Sequence, residues 1–444
     1  MNLISFLHNT AYSSLPAPVR RRAAICLLDL IGTQIGGTTT RLSQIIRDFA
    51  AATYAGGEAT LFFDGRRINP VGAALANGTT IDSLDIHDGH KLTKGHAGAG
   101  VFPAAAAIFQ SSARRIKPSG EEFLTALVIG YEIGIRAGIA LHATARDYHT
   151  SGAWSAIACA AIVARALGLN AEQTRHALGI AEYHGPRSQM MRVIDHPTML
   201  KDGSGWGAMA GVSAGLLAAN GFTGAPAITV EGGDLSHLWN DLGERWRITE
   251  LYFKPHAVCR WAQPAMEGAA QIAREHGPAP ETIGRVVVET FHEATRLNHP
   301  RPATTEEAQY SLPFPLAAAL IHGNLGPREI VGGALTDPRV IALAERVELI
   351  EDAEMNAAFP ANRFARVTVH TTDGRTFQSG LATPRGEPES PLTDEELEAK
   401  FRWLASGLVS SDRAEAIISA VRDLPASPNV NGLFELLIPP LSGA

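Results

Sequence analysis

Cysteine is scarce in this chain: Cys26, Cys159 and Cys259 are the three among 444 residues. An odd, widely spaced set argues against a disulfide framework, and reduced thiols point to a cytoplasmic protein. Basic runs are scarce too, and the net charge is -7. Non-specific nucleic-acid binding needs a cationic surface that displaces counterions, so that class is set aside. The one short cluster, Arg20 to Arg22, precedes an apolar run and reads as a solvated first helical turn. The start, Met1-Asn2-Leu3-Ile4, lacks a basic stretch followed by an apolar one and a small-residue cleavage site, so no signal peptide is expected. Apolar stretches such as Ala153 to Leu167 are short or carry a charge, here Arg165, and read as buried helices that span no membrane. No Walker loop, Rossmann fingerprint, HExxH helix or G-x-S-x-G elbow is found.

What the chain does have is ordinary globular composition, 45% hydrophobic and 19% charged, with length for two or three domains. The first 264 residues read as helical. Small-residue-rich segments recur at Val19 to Gly36, Pro103 to Arg114, Glu121 to Leu141, Ser151 to Leu167, Ala171 to Ala181 and Gly207 to Ala219. Asn170 before Ala-Glu-Gln is an expected N-cap. After residue 280 the pattern changes. Gly284 to Thr290 and Phe364 to Thr371 are β-branched and strand-like, and Asp373-Gly374 signals a hairpin whose return strand is Arg375 to Gln378. Helical runs fall near Ala308 to His322 and Pro338 to Val347. The expected fold is mainly α: an all-α domain over 1–264, completed by 399–444, plus a smaller α+β lid domain over 265–398. Within the lid, the Pro-rich stretch 382–393 reads as a linker, and Thr393 as the cap of the next helix.

The densest polar cluster runs from Asp85 to His96 and holds three histidines, two aspartates and two lysines. It lies between two apolar helical runs, where catalytic groups are often held on a loop. Histidine titrates near working pH, and a nearby carboxylate fixes its tautomer. The bland alternative is a solvated charged loop. A metal is the sharper rival, because Asp85, His87, Asp88, His90 and His96 are all donors for zinc or iron. His149 precedes a long helix, whose dipole favours the neutral, base-ready ring and a bound carboxylate. Lys201 opens a glycine-rich turn and suits a carboxylate or an enolate-like charge. Lys254, His256, Cys259 and Arg260 follow as a second cluster. Arg260 suits a bidentate carboxylate clamp, and Cys259 reads as a nucleophile or, more plainly, as buried filler.

Taken together, these segments resemble the MmgE/PrpD family, which includes 2-methylcitrate dehydratase, cis-aconitate decarboxylase and iminodisuccinate epimerase. The likeness rests on Asn77-Gly78-Thr79 through Asp85 to Asp88, Gly95-His96-Ala97-Gly98 with Pro103, and Met199 to Gly203. Lys254-Pro255 with Cys259-Arg260, and Glu307 to Pro313, complete it. The resemblance implies a pocket between the two domains, usually in a homodimer, with no metal or organic cofactor. It implies catalytic roles for Asp85, His96, His149 and Lys201. Asp88, His90, Lys254, His256 and Arg260 would bind a small polycarboxylate. His87 stands at the family's second acid, Gly89 at a threonine and Ala97 at a common proline. The expected reaction is dehydration of a di- or tricarboxylate such as 2-methylcitrate, with His149 as base and His96, oriented by Asp85, as acid. Epimerisation or decarboxylation, a metal-dependent hydrolase built on residues 85–96, and a non-catalytic carboxylate-binding protein are the alternatives.

Overall fold

A computed structural model describes residues 2–323 and 325–439. The protein is mainly α, with one four-stranded sheet and two short two-stranded ones. Helices Ala17–Gly37, Pro70–Asp82, Gly98–Gln110, Gly120–Thr144, Gly152–Leu167, Ala171–His184 and Ser204–Ala219 form the first body. Small residues let them approach closely. A Cβ at Gly211 would stand 2.4 Å from the Ala156 carbonyl oxygen and 2.4 Å from the Cys159 Cβ. Helices Gly152–Leu167 and Ser204–Ala219 therefore meet almost backbone to backbone.

Local signals work as expected at the caps. Asn170 accepts from the Gln173 amide at 2.9 Å, and the Gln173 side chain accepts in return from the Asn170 amide. Thr393 and Glu396 form the same reciprocal pair. The helix expected to open at Pro103 begins instead at Gly98 and carries Pro103 inside it. That helix is buried along almost its whole length, and its packing offsets the hydrogen bond proline removes. Helix Gly120–Thr144 is long and apolar enough to cross a membrane, but 94% of that stretch is buried inside the protein.

Side chains from residues 257–369 build a second core. Its sheet orders Val347–Glu351, Ile283–Thr290, Ala365–Thr371 and Thr376–Gln378, with the first pair parallel and the others antiparallel. The helical run expected over Pro338 to Val347 overlaps at its last residue a strand, Val347–Glu351. Helix Pro338–Ala344 stops short of it, and its partner strand Ile283–Thr290 supplies the pairing that sequence alone leaves unseen. Leu84, Ile86, Met190, Val193 and Ile194 reach from the first body into this second core.

The chain then returns. Leu397, Phe401, Ile417 and Val421, from helices Asp394–Ala405 and Ser411–Arg422, join the first core. The expected completion over 399–444 runs beyond residue 439, and its last residues lie outside the described ones. Lys400 is the pin of this return. Its Nζ donates to Asp29 Oδ1 at 2.6 Å and to the Ile86 carbonyl at 2.6 Å, across a sequence gap of 314 residues. The polar loop is tied at a second point where Gly89–His90 pairs with Leu251–Tyr252.

Candidate active site

A small cavity opens between the two cores. Asp85, His96, Asp202 and Lys254 line one side of it, and Arg260, Tyr310 and Arg363 come from the segments that build the second core. Four cations, Lys94, Lys254, Arg260 and Arg363, face two carboxylates, Asp85 and Asp202. A cavity with this balance suits a small anion.

The backbone is strained here. Four non-glycine residues of the described chain have positive φ, and three of them belong to this region: Asp85 at 51°, Lys94 at 52° and Lys201 at 48°. Each costs on the order of 1–3 kcal/mol, and such residues gather where side-chain aim matters more than local comfort.

His96 is held at both ends of its residue. Its Nδ1 donates to the Asp88 carbonyl at 2.5 Å. Its amide donates to Ser151 Oγ at 2.9 Å, and the Ser151 hydroxyl donates to Asp202. With the proton fixed on Nδ1, the Nε2 lone pair faces the cavity. Burial and then the Lys254 charge hold the His96 pKa below its ordinary value, although Asp202 and Asp85 oppose them. The ring is therefore neutral and ready to take a proton. The expected orienting group was the Asp85 carboxylate, but that carboxylate stands 3.8 Å from Nε2, beyond hydrogen-bond reach. The Asp88 main chain does the orienting instead.

Asp85 is committed to Lys254. Lys254 Nζ donates to Asp85 Oδ1 at 2.6 Å and to the Asp85 carbonyl at 2.9 Å. Burial pushes the Asp85 carboxyl up, but Lys254, Lys201 and His96 together hold it below its ordinary value. Lys254 is 1% exposed and Asp85 4%. Removing one partner of such a pair strands the other. We expect Lys254→Met to cost about 3–5 kcal/mol of stability, and Asp85→Asn in the same chain to recover most of it. Urea unfolding midpoints check this, and a single variant that unfolds like the parent would contradict the buried-pair account.

Other expected residues lie elsewhere. His149 is outside the cavity lining. The chain is extended there, with the Thr150 amide bonded to the Ser188 carbonyl and the Met190 amide to the Tyr148 carbonyl. Alternate side chains of an extended segment point opposite ways. Tyr148 takes the cavity side, while the His149 ring Nδ1 pairs with the Asp147 carbonyl at 2.8 Å. Lys201 stands behind the lining. Its Nζ donates to Gln309 Oε1 at 2.5 Å and lies 4.6 Å from the Tyr310 ring centroid. Asp88 is fully buried beside Tyr131 and Gly98, away from the cavity. His90 Nε2 pairs with Glu250 at 3.2 Å. His256 packs near Glu267, 3.9 Å away, and also lies off the lining. Arg260 lines the cavity, but its Nη2 donates to Glu387 at 2.6 Å and its Nη1 to the Arg385 carbonyl at 3.3 Å. The stretch read as a linker thus holds the expected clamp.

Side chains that sequence reasoning did not select are Lys94, Tyr148, Asp202, Tyr252, Tyr310 and Arg363. Lys94, Asp202 and Tyr310 fall inside segments already singled out. Arg363 sits in no motif at all. Cys259 lines the cavity, but burial pushes its thiol up to about 12, which removes it as a thiolate nucleophile. The donors proposed for a metal diverge: His90 turns to Glu250, Asp88 turns toward Tyr131, and Asp85 is bonded to Lys254. Among the described residues no group of three His, Cys, Asp or Glu side chains is placed to share an ion.

The chain is 27% identical over 478 residues to the cis-aconitate decarboxylase-like protein oryM of Aspergillus oryzae, covering 96% of this chain and 94% of that one. It is 26% identical to the cis-aconitate decarboxylase of Homo sapiens, covering 97% and 92%. The mitochondrial 2-methylcitrate dehydratase of Yarrowia lipolytica is 24% identical, with 76% of this chain and 70% of that one covered. The MmgE/PrpD N-terminal domain matches residues 1–235, and the MmgE/PrpD C-terminal domain matches residues 256–426. With both halves matched over most of its length, the chain belongs to the MmgE/PrpD family.

Proposed function

We propose that the protein is a lyase that moves a proton at a carbon beside a carboxylate of a small unsaturated tricarboxylate, releasing carbon dioxide. The observation that carries the proton-transfer step is His96, pinned through Nδ1 and open at Nε2 in a cavity richer in cations than in carboxylates. Decarboxylation is favoured because relatives that align along nearly the whole chain carry the name cis-aconitate decarboxylase. In that reaction the carbon–carboxylate bond breaks, and its electron pair moves through the adjoining double bond. A proton is then added at the far carbon. His96 would first gain that proton, helped by the arriving carboxylates, and then deliver it. Lys254 would steady the developing negative charge, and Tyr310, backed by Lys201, would bound the pocket.

Dehydration is the second reading, favoured by the neutral state of His96. There Nε2 would remove the carbon-bound proton, and the Tyr148 phenol would protonate the departing hydroxyl. The two readings predict opposite pH limbs. A base must be neutral, so dehydration fails as pH falls through the low pKa of His96. A proton donor must be charged, so decarboxylation fails as pH rises through it.

The test is proton NMR in deuterated water with citrate, 2-methylcitrate, cis-aconitate, tartrate, malate and iminodisuccinate, each with and without EDTA. We expect cis-aconitate to lose a carboxyl group and gain one deuterium, with no effect of EDTA. Water loss from 2-methylcitrate alone would move the assignment to the dehydratase. EDTA-sensitive turnover would point to a metal enzyme, and no exchange with any acid would leave a binding role.

A further inference from the structure

We infer that Arg363 is the residue that reads the carboxylate farthest from the reacting carbon, and so selects tricarboxylates over dicarboxylates. This rests on the polycarboxylate lyase reading above and adds to it the group that counts carboxylates.

Arg363 lies in the loop between helix Ala353–Ala358 and strand Ala365–Thr371. It is 5% exposed, lines the cavity, and has two buried guanidinium nitrogens, Nε and Nη1, with no hydrogen-bond partner. Among the described residues it forms no ion pair. A buried guanidinium normally has a carboxylate opposite it, because desolvating the charge is otherwise uncompensated. The other buried cations of the cavity already have partners, and Lys94 is exposed. Lys254 is bonded to Asp85, and Arg260 is bonded to Glu387. Arg260 lies with its guanidinium 4.0 Å from the Tyr252 ring centroid, and only its Nε is left buried without a partner. The guanidinium of Arg363 is therefore the one with a free donor fork.

Its position fits a remote subsite. His96, Asp85 and Lys254 belong to the segments that precede the second core, whereas Arg363 enters from the loop beside the sheet. Arg363 also lines a separate cleft shared with Lys91, Thr383 and Glu389, so it stands where the cavity approaches the surface. An anion bridging His96 and Arg363 must carry a carboxylate at each end, one at the reacting pole and one on the fork. A third carboxylate remains for the reaction.

The experiment uses the full chain and the unreactive triacid tricarballylate, with methylsuccinate as the analogue lacking one terminal carboxylate. Binding is measured by calorimetry for the parent, Arg363→Gln and Arg363→Lys, alongside turnover of cis-aconitate and thermal melting. We expect Arg363→Gln to weaken tricarballylate about 30- to 100-fold, the loss of a charge-assisted fork, while methylsuccinate is unchanged. Arg363→Lys should fall between. Melting should not drop, since the glutamine removes an uncompensated buried charge. Equal losses for both ligands, no loss for either, or a lower melting temperature in both variants would overturn the inference. If the parent binds tricarballylate with this discrimination yet turns over no polycarboxylate, the lyase reading fails and the role of Arg363 stands. If the parent binds neither acid, both fail.

Discussion

His96→Asn lowers kcat by about three to four orders of magnitude, while KM moves little. That is the expected loss when a positioned acid–base group is removed. Asparagine is chosen because its side-chain amide still donates to the Asp88 carbonyl, so the local fold is kept while the Nε2 lone pair is lost. Steady-state kinetics on the substrate identified by NMR, with deuterium incorporation at the same carbon, give the measurement. A loss under tenfold would remove His96 from the chemistry. The same assay on His149→Ala should stay within tenfold of the parent, because that ring faces the Asp147 carbonyl outside the cavity. A loss at His149 as large as at His96 would require the extended segment at 148–150 to turn over when substrate binds.

The second large effect concerns stability. Burial pushes the Asp88 carboxyl up to about 7, from 3.8 in the unfolded chain, with Asp29 adding to the shift and Tyr131 opposing it. Between those two pH values the folded protein keeps a proton that the unfolded chain has lost. The contribution of Asp88 to stability therefore falls as pH rises from about 4 to 7, by about 4 kcal/mol. Asp88→Asn lacks this contribution to the slope. The variant should match the parent near pH 4 and exceed it by up to about 4 kcal/mol above pH 8. Asp82, likewise raised to about 7 by burial and by Asp202, is present in both proteins and cancels from the difference. Urea unfolding at pH 5 and pH 8.5 gives the comparison, and a parent–variant difference that does not grow between those pH values would refute it.

The helices were legible because small apolar residues recur at helical spacing and their caps carry their own chemistry, as at Asn170 and Thr393. Residues Val347–Glu351 were not, because a strand of that length is specified by its parallel neighbour Ile283–Thr290 rather than by its own pattern. At the site, sequence density found the 85–96 loop but could not assign the direction of each side chain. The loop puts Asp85 and His96 in the cavity, gives Asp88 an orienting carbonyl and sends His90 to Glu250. One-residue alternation decides between Tyr148 and His149, and no composition argument sees that. Arg363 has no local signature, since its role depends on Arg260 being occupied by Glu387.

Lys400 carries one further consequence, which concerns time. During synthesis, Ile86, which lies between Asp85 and His96, is added 314 residues before the lysine that fastens it. The early helices can find one another as they emerge, since most of their partners lie within the first 219 residues. The reacting loop must wait for the tail. Catalytic competence is thus among the last properties the growing chain acquires, and an unfinished chain carries its histidines without the frame that aims them.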